Sequence, residues 1–350
     1  MSWPEHPVVV RAPATSANLG PGFDALGLAL KLHNIVAARI ISAGLEIEVA
    51  GIGAETATAG EDHLVIRAMR AGFAALGGQP PGIAIRCRNA IPQGYGLGSS
   101  AAAIVAGLLA ARALSGAAPA GDAGQERTAR EAAAGDVAAG DAAGQETAAR
   151  EAAAGTGLAD IALLRLAAEL EGHPDNVAAC LAGGLTIAWT SAAGTRSARL
   201  SPLPELSPVV CVPPEPLATA AARLALPPAV PHADAARNAA RAALLIAALT
   251  GAPGLLMDAT EDFLHQRYRA AAMPRTASLI AALRSAGIPA VVSGAGPAVL
   301  ALTVTGRLPD AGAVATVAAA EGAGWQASPL GVDAQGATTE PCRPGSGRDR

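Results

Sequence analysis

Three alternating glycines, two serines and a run of alanines set the strongest constraint on this chain: residues 92–103 read PQGYGLGSSAAA. Ala101 to Leu114 is rich in alanine and leucine and is predicted to be a helix, with Ser99 or Ser100 as its cap. The glycines therefore form a loop that feeds a helix N-terminus. Such a loop lets backbone N–H groups close around an anion, the helix end adds partial positive charge, and a serine hydroxyl can reach a phosphate or its metal. A capped turn with no ligand has the same local pattern.

Two familiar nucleotide loops do not explain the segment. A Walker A loop needs Gly-Lys followed by Ser or Thr, but Lys31, the only lysine, stands in LKLHN. Nor does a GxGxxG follow the first predicted strand.

Along the chain, Val8 to Val10 reads as a strand leading into a Pro/Gly-rich loop, Pro13 to Asp24. Strands are predicted at Ile35 to Ile41, Leu45 to Val49 and Ile83 to Cys87, with a helix over Glu61 to Leu76. Between Ser115 and Gly155 the sequence turns Ala/Gly/Asp-rich, and AGQERTAREAAAG at 123–135 recurs as AGQETAAREAAAG at 143–155. Two copies without an apolar face read as a solvated, low-complexity insertion at about 115–155 rather than a solenoid. A helix from Leu158 to Leu170, a loop EGHPDN at 171–176 and a strand from Leu185 to Thr190 complete a first domain, 1–200. Strands at Val209 to Val212, Ala290 to Ser293 and Val299 to Thr303 give an α+β second domain, 201–335, with helices at Ala233 to Leu249, Thr276 to Ala286 and Ala311 to Ala320. Residues 336–350 read as a flexible tail.

Aromatic residues make up only 2% of the chain against 51% hydrophobic residues overall, so the core must be aliphatic. A net charge of −4 offers no basic field for nucleic acid or an anionic membrane. No apolar run reads as a membrane span and no secretory signal is evident. Cys87, Cys180, Cys211 and Cys342 lack CxxC or Cys/His metal spacing, as expected of reduced thiols in a cytoplasmic protein. A small-molecule partner is expected, and a homodimer is compatible with the sequence.

Three further segments, PATSANLGPGFDALG at 13–27, EGHPDNVAACLAGGL at 171–185 and SGAGPAVLAL at 293–302, stand in fixed order around the glycine loop. Together they resemble the GHMP kinases, whose ATP loop has the form PxxxGLGSSAA, and among them the homoserine kinase branch. The resemblance spans about Pro13 to Leu302 and implies a two-domain fold, with an N-terminal nucleotide-binding domain and a C-terminal ferredoxin-like α/β sandwich. It assigns Pro92, Gly94, Gly96, Leu97, Gly98, Ser99, Ser100 and Ala101 to the ATP phosphates. Ser100 and Glu171 fall on Mg²⁺, with Glu169 an alternative to Glu171. His63 falls where an asparagine often helps hold adenine. By the same resemblance Asn18, Asp24, His173 and Asn176 line the acceptor pocket, while Arg223 and Arg269 serve the acceptor carboxylate, with Arg267 an alternative to Arg269. Tyr95, His63 and Ala298 depart from the usual pattern.

The implied activity is transfer of the γ-phosphoryl group of ATP to the side-chain hydroxyl of L-homoserine, giving O-phospho-L-homoserine for threonine biosynthesis. Asp24, Ser100 and Glu171 would be its catalytic groups. Whether Asp24 acts as a base or only orients the hydroxyl is left open. A GHMP kinase for mevalonate or a sugar, and a catalytically silent nucleotide binder, are the alternatives.

Overall fold

The computed structural model describes residue 3 and residues 6–116, 160–217, 219–322 and 324–341. All but the first two residues of the expected insertion lie outside this set, as does Cys342.

The first sheet is organised by one long strand. β1 (Val8–Ala17) and β2 (Leu26–Ile41) pair antiparallel along their length, with a register shift between Pro13 and Ala14. β2 is longer than either strand on its second edge and splits that edge between β4 (Gly82–Asn89) and β5 (Leu185–Ser191). β3 (Gly44–Gly51) runs parallel to β4, and β6 (Gly194–Leu200) closes a hairpin with β5.

α1 (Leu64–Ala75) and α2 (Ser99–Leu114) pack on each other, and α2 packs on β1 and β2 of this sheet. Small residues let them approach closely: a Cβ on Gly107 would lie 2.5 Å from the Val65 carbonyl oxygen. This is how a chain poor in aromatics fills its core, with short side chains and close backbones rather than large rings. Almost every side chain of α2 from Ala101 to Leu114 is buried, so the helix whose N-terminus opens the glycine loop is itself the centre of the core. Two further helices, α3 (Asp160–Glu171) and α4 (Asp175–Ala182), flank it.

The second sheet has the strand order β10-β7-β9-β8, from β7 (Val209–Val212), β8 (Ala290–Val292), β9 (Val299–Ala301) and β10 (Gln326–Pro329). The helices between them are α5 (Thr219–Leu224), α6 (His232–Thr250), α7 (Leu256–Ala259), α8 (Gln266–Arg269), α9 (Pro274–Ser285) and α10 (Ala311–Ala320). With α9 and α10 packed on one face, this order is that of a ferredoxin-like sandwich. Alternation divides the strands: Val209, Cys211, Val299 and Ala301 join the small core under α9 and α10, whereas Val210, Leu300 and Leu302 face the main core. Among the described residues no helix is long and apolar enough to cross a membrane.

Several local expectations change. β1 runs on to Ala17 and takes in the start of the expected Pro13 to Asp24 loop, and EGHPDN is shared between the end of α3 and the start of α4. Neither Ser99 nor Ser100 caps α2: the cap is Gly98, at φ 69°, and both serines lie inside the helix. The flexible tail expected from 336 is contradicted over 336–341, where a strand forms, and its remainder lies outside the described residues. β11 (Thr338–Pro341) pairs with β1, Val332 bridges to Leu30, and Asp333 Oδ2 meets His33 Nε2 at 2.7 Å. A short polar strand of this kind has no periodicity to announce it; the open edge of β1 selects it.

Candidate functional site

The first sheet with its helices, α5, α8 and the β8–β9 connection line one cleft of about 370 Å³, and the sequence motifs converge on it. At one end lies the glycine loop. It is held from two sides: Thr15 N donates to the Leu97 carbonyl at 3.1 Å, and Ser293 Oγ donates to the Gly96 carbonyl at 2.8 Å. Gly96 and Gly98 have φ of 75° and 69°, and a Cβ on either would overlap a neighbour, the Ser293 carbonyl oxygen or Thr15 Oγ1. Only glycine fits both the backbone and the space. The first N–H groups of α2 have no partner within the helix, so the loop and helix end form a cradle for an anion.

Ser100 Oγ, in the first turn of α2, donates to Glu171 Oε2 at 2.6 Å. Burial pushes the Glu171 carboxyl above its usual range, while the Ser100 hydrogen bond and the nearby His173 work against that rise. Glu169 is exposed and does not line the cleft. Beyond the loop His63 lines the cleft with Thr56, Thr58, Asn89 and Gln93. Its Nδ1 is buried without a hydrogen-bond partner among the described residues, and burial holds its pKa down. Cys87 also lines this part, but burial raises its thiol to about 12 and leaves it unreactive.

The other end is assembled from distant side chains. Asn18, Leu19 and Asp24 have φ of 67°, 49° and 52°, a rare cluster of left-handed non-glycine residues. Asn18 holds the turn: its Oδ1 accepts from Asp24 N at 2.9 Å and its Nδ2 donates to the Gly294 carbonyl at 2.8 Å. Asp24 meets Arg223 in a two-point contact, Nη2 to Oδ1 at 2.8 Å and Nη1 to Oδ2 at 3.3 Å. Arg269 is buried, 1% exposed, yet lines the cleft. Its Nε donates to the Ala222 carbonyl at 3.1 Å, and the Phe23 ring lies 5.5 Å from its Cζ. Arg267 instead points to solvent, pairing with Asp234 and stacking on Tyr268.

Between the two ends stand His173 and Asn176. His173 Nδ1 lies 2.6 Å from Asp175 Oδ1, and Asn176 Oδ1 accepts from Thr15 Oγ1 at 2.7 Å. Burial opposes the charged form of His173, but the hydrogen bond and charge of Asp175, with Glu171, raise its pKa overall.

The structure thus brings Asn18, Asp24, His63, the 92–100 loop, Glu171, His173, Asn176, Arg223 and Arg269 to one cleft; Ala101 follows directly behind it, buried in α2. Sequence reasoning missed Thr15, Asp175, Ser293 and His265. Thr15, Asp175 and Ser293 stood inside three of the recognised segments, without a role assigned to them. His265 lies outside them and carries no local signal, because a lone His is usually structural.

Comparison with known proteins gives two family matches: the model for the GHMP kinases N terminal domain over residues 63–145 and that for GHMP kinases C terminal over 243–322. The chain is 49% identical over 334 residues to a homoserine kinase of Streptomyces coelicolor, covering 95% of this chain and 94% of that protein. It is also 49% identical, over 335 residues, to a homoserine kinase of Streptomyces avermitilis, covering 95% and 96%. Among solved structures, homoserine kinase from Cytophaga hutchinsonii matches the fold with a TM-score of 0.76 at 24% identity, covering 97% of this chain and 99% of that one.

Proposed function

Because this chain belongs to the homoserine kinases of the GHMP family, we propose that it transfers the γ-phosphoryl group of ATP to the side-chain hydroxyl of L-homoserine, a step of threonine biosynthesis. The observation that carries this reading is that one cleft joins an anion cradle with a hydroxyl–carboxylate pair to a cluster of two arginines and an aspartate. The cradle suits the phosphates, and an arginine suits an amino-acid carboxylate because its planar fork matches two oxygens.

In this reading the N–H groups of the glycine loop and of the first turn of α2 hold the phosphates. Ser100 and Glu171 would hold Mg²⁺: one hydroxyl and one carboxylate suit an ion that keeps most of its water and takes phosphate oxygens for the rest. When bound, that ion neutralises charge developing on the phosphate oxygens. His63 and the residues around it take the adenine, and its unpaired Nδ1 supports this.

At the other end Arg269 and Arg223 bind the acceptor carboxylate, with Asn18, His173 and Asn176 as polar partners. Asp24 orients the attacking hydroxyl. A carboxylate is far too weak a base to deprotonate an alkanol before the transition state, so its work is alignment, and most of the catalysis is positioning with charge stabilisation. The remainder of the reading is a cytoplasmic enzyme whose described cysteines are buried and unpaired.

Purified protein with Mg·ATP should consume ATP much faster with L-homoserine than with mevalonate or galactose, and phosphorus NMR should identify O-phospho-L-homoserine. Galactose lacks a carboxylate for the arginines, and mevalonate lacks an α-ammonium, leaving buried polar groups unpaired. Preference for mevalonate would reject the acceptor but keep the superfamily; ATP binding without turnover of any acceptor would point to a silent binder.

A further inference from the structure

His265 is fully buried between the turn that carries Asp24 and the helix that carries Arg269, and its two ring nitrogens meet different partners. Nδ1 lies 3.1 Å from Arg269 Nη1, and Nε2 lies 2.9 Å from the Gly20 carbonyl oxygen. A guanidinium offers only donors and a carbonyl only accepts. Nδ1 must therefore be bare and Nε2 must carry the proton. A single neutral tautomer satisfies both contacts, whereas in the imidazolium an Nδ1–H would oppose the N–H of Arg269. The Oδ1 of Asp262, 3.7 Å from Nε2, lies on the side that carries the proton. Phe23 stands over the ring, centroids 5.2 Å apart, and also faces both arginines of the cleft.

Gly20 belongs to the turn in which Asn18, Leu19 and Asp24 hold left-handed backbone. Such a conformation persists only where its surroundings hold it. Asn18 fixes it from within, and His265 fixes it from outside while gripping Arg269.

We infer that His265 is a positioning residue for the acceptor site, its neutral ring tying the Arg269 guanidinium to the Asn18–Asp24 turn so that the carboxylate-binding and hydroxyl-orienting groups keep one spacing. The inference rests on the acceptor reading above. It also carries a pH dependence. Burial, the largest influence, and the charge of Arg269 oppose protonation; Asp262, the Gly20 hydrogen bond and Asp24 favour it. The outcome is a pKa below the ordinary 6.5, so the ring is neutral near pH 7. As pH falls through that lowered pKa, Nδ1 gains a proton and the grip on Arg269 is lost.

The test uses the full-length protein as wild type, His265→Gln and His265→Leu, with KM measured separately for L-homoserine and ATP. A glutamine amide offers one acceptor and one donor at a spacing close to that of the imidazole; leucine offers neither. His265→Leu should raise the KM for L-homoserine by about 10- to 100-fold and that for ATP by less than about twofold, while His265→Gln should hold the first rise to about threefold. Wild-type kcat/KM for L-homoserine should also fall on the acid side through an ionisation that His265→Gln lacks. Equal behaviour of the two variants, a parallel rise in both KM values, or an acid limb unchanged in His265→Gln would overturn the inference. If His265→Leu does not fold, the pH profile of His265→Gln decides alone. A wild type that does not phosphorylate L-homoserine would overturn the acceptor reading, and this inference with it; a wild type that does, with unaffected variants, would overturn only this inference.

Discussion

At the end of the cleft proposed for the phosphates the groups on offer are backbone N–H groups and one hydroxyl–carboxylate pair, drawn from residues 92–100 and from Glu171. The end proposed for the acceptor is made of side chains from Asn18 to Arg269, which meet because the turn after β1, the short helices α5 and α8 and the 293–298 hairpin are packed together. The first end depends on one segment and on glycine sterics. The second depends on tertiary packing, and the proposed division of the cleft predicts that single side chains there can be changed with little effect on the first.

The largest expected effect tests whether the two ends are separable in function. Glu171→Gln should lower kcat by about 10²- to 10³-fold, the scale for losing one electrostatic partner of the transition state, with nucleotide affinity changed less than about fivefold. Stability should move the other way. Burial raises the Glu171 pKa, so the folded state favours the neutral form, and the fold's preference is fully met only below the unfolded-state pKa. At pH 7 the carboxylate is a mild liability, so Glu171→Gln should melt no lower than wild type in a thermal scan. Unchanged kcat across Mg²⁺ concentrations would dismiss the role of Glu171.

The legibility of the two ends differed for the same reason. The glycine loop feeding a helix was readable because its pattern is local: PQGYGLGSSAAA contains the turn, the helix start and the hydroxyl together. Even so, the expectation that a serine caps α2 failed, since Gly98 adopts the cap and Ser100 turns to Glu171. That Asn18, Asp24, His173, Asn176, Arg223 and Arg269 share a cleft was expected only through resemblance, which gave no hint of the Asp24–Arg223 contact or of His265. β11 and the Asp333–His33 contact were invisible for a related reason: an edge strand of four residues is chosen by the partner it meets, not by its own pattern.

A smaller effect sharpens the acceptor end itself. Arg223→Met removes the guanidinium that pairs with Asp24 and should raise the KM for L-homoserine about tenfold, with ATP nearly unaffected. The contact is partly exposed, so the melting temperature should barely change. Equal losses for ATP and L-homoserine would show that the two ends are not independent. Smallest of all is Arg267→Gln, two residues before Arg269 but paired with Asp234 in solvent; both KM values should stay within about twofold of wild type. A larger change in steady-state assays would mean that Arg267 reaches the acceptor.

The division of the cleft is tested most directly by calorimetric titration of Arg269→Met, beside wild type, with a non-hydrolysable ATP analogue and with L-homoserine. Nucleotide affinity should stay within about twofold, while affinity for L-homoserine should fall by at least about 50-fold, as expected when the group facing a buried carboxylate is removed. A variant that loses nucleotide affinity in parallel, or keeps its affinity for L-homoserine, would contradict the assignment of this end of the cleft to the amino-acid acceptor.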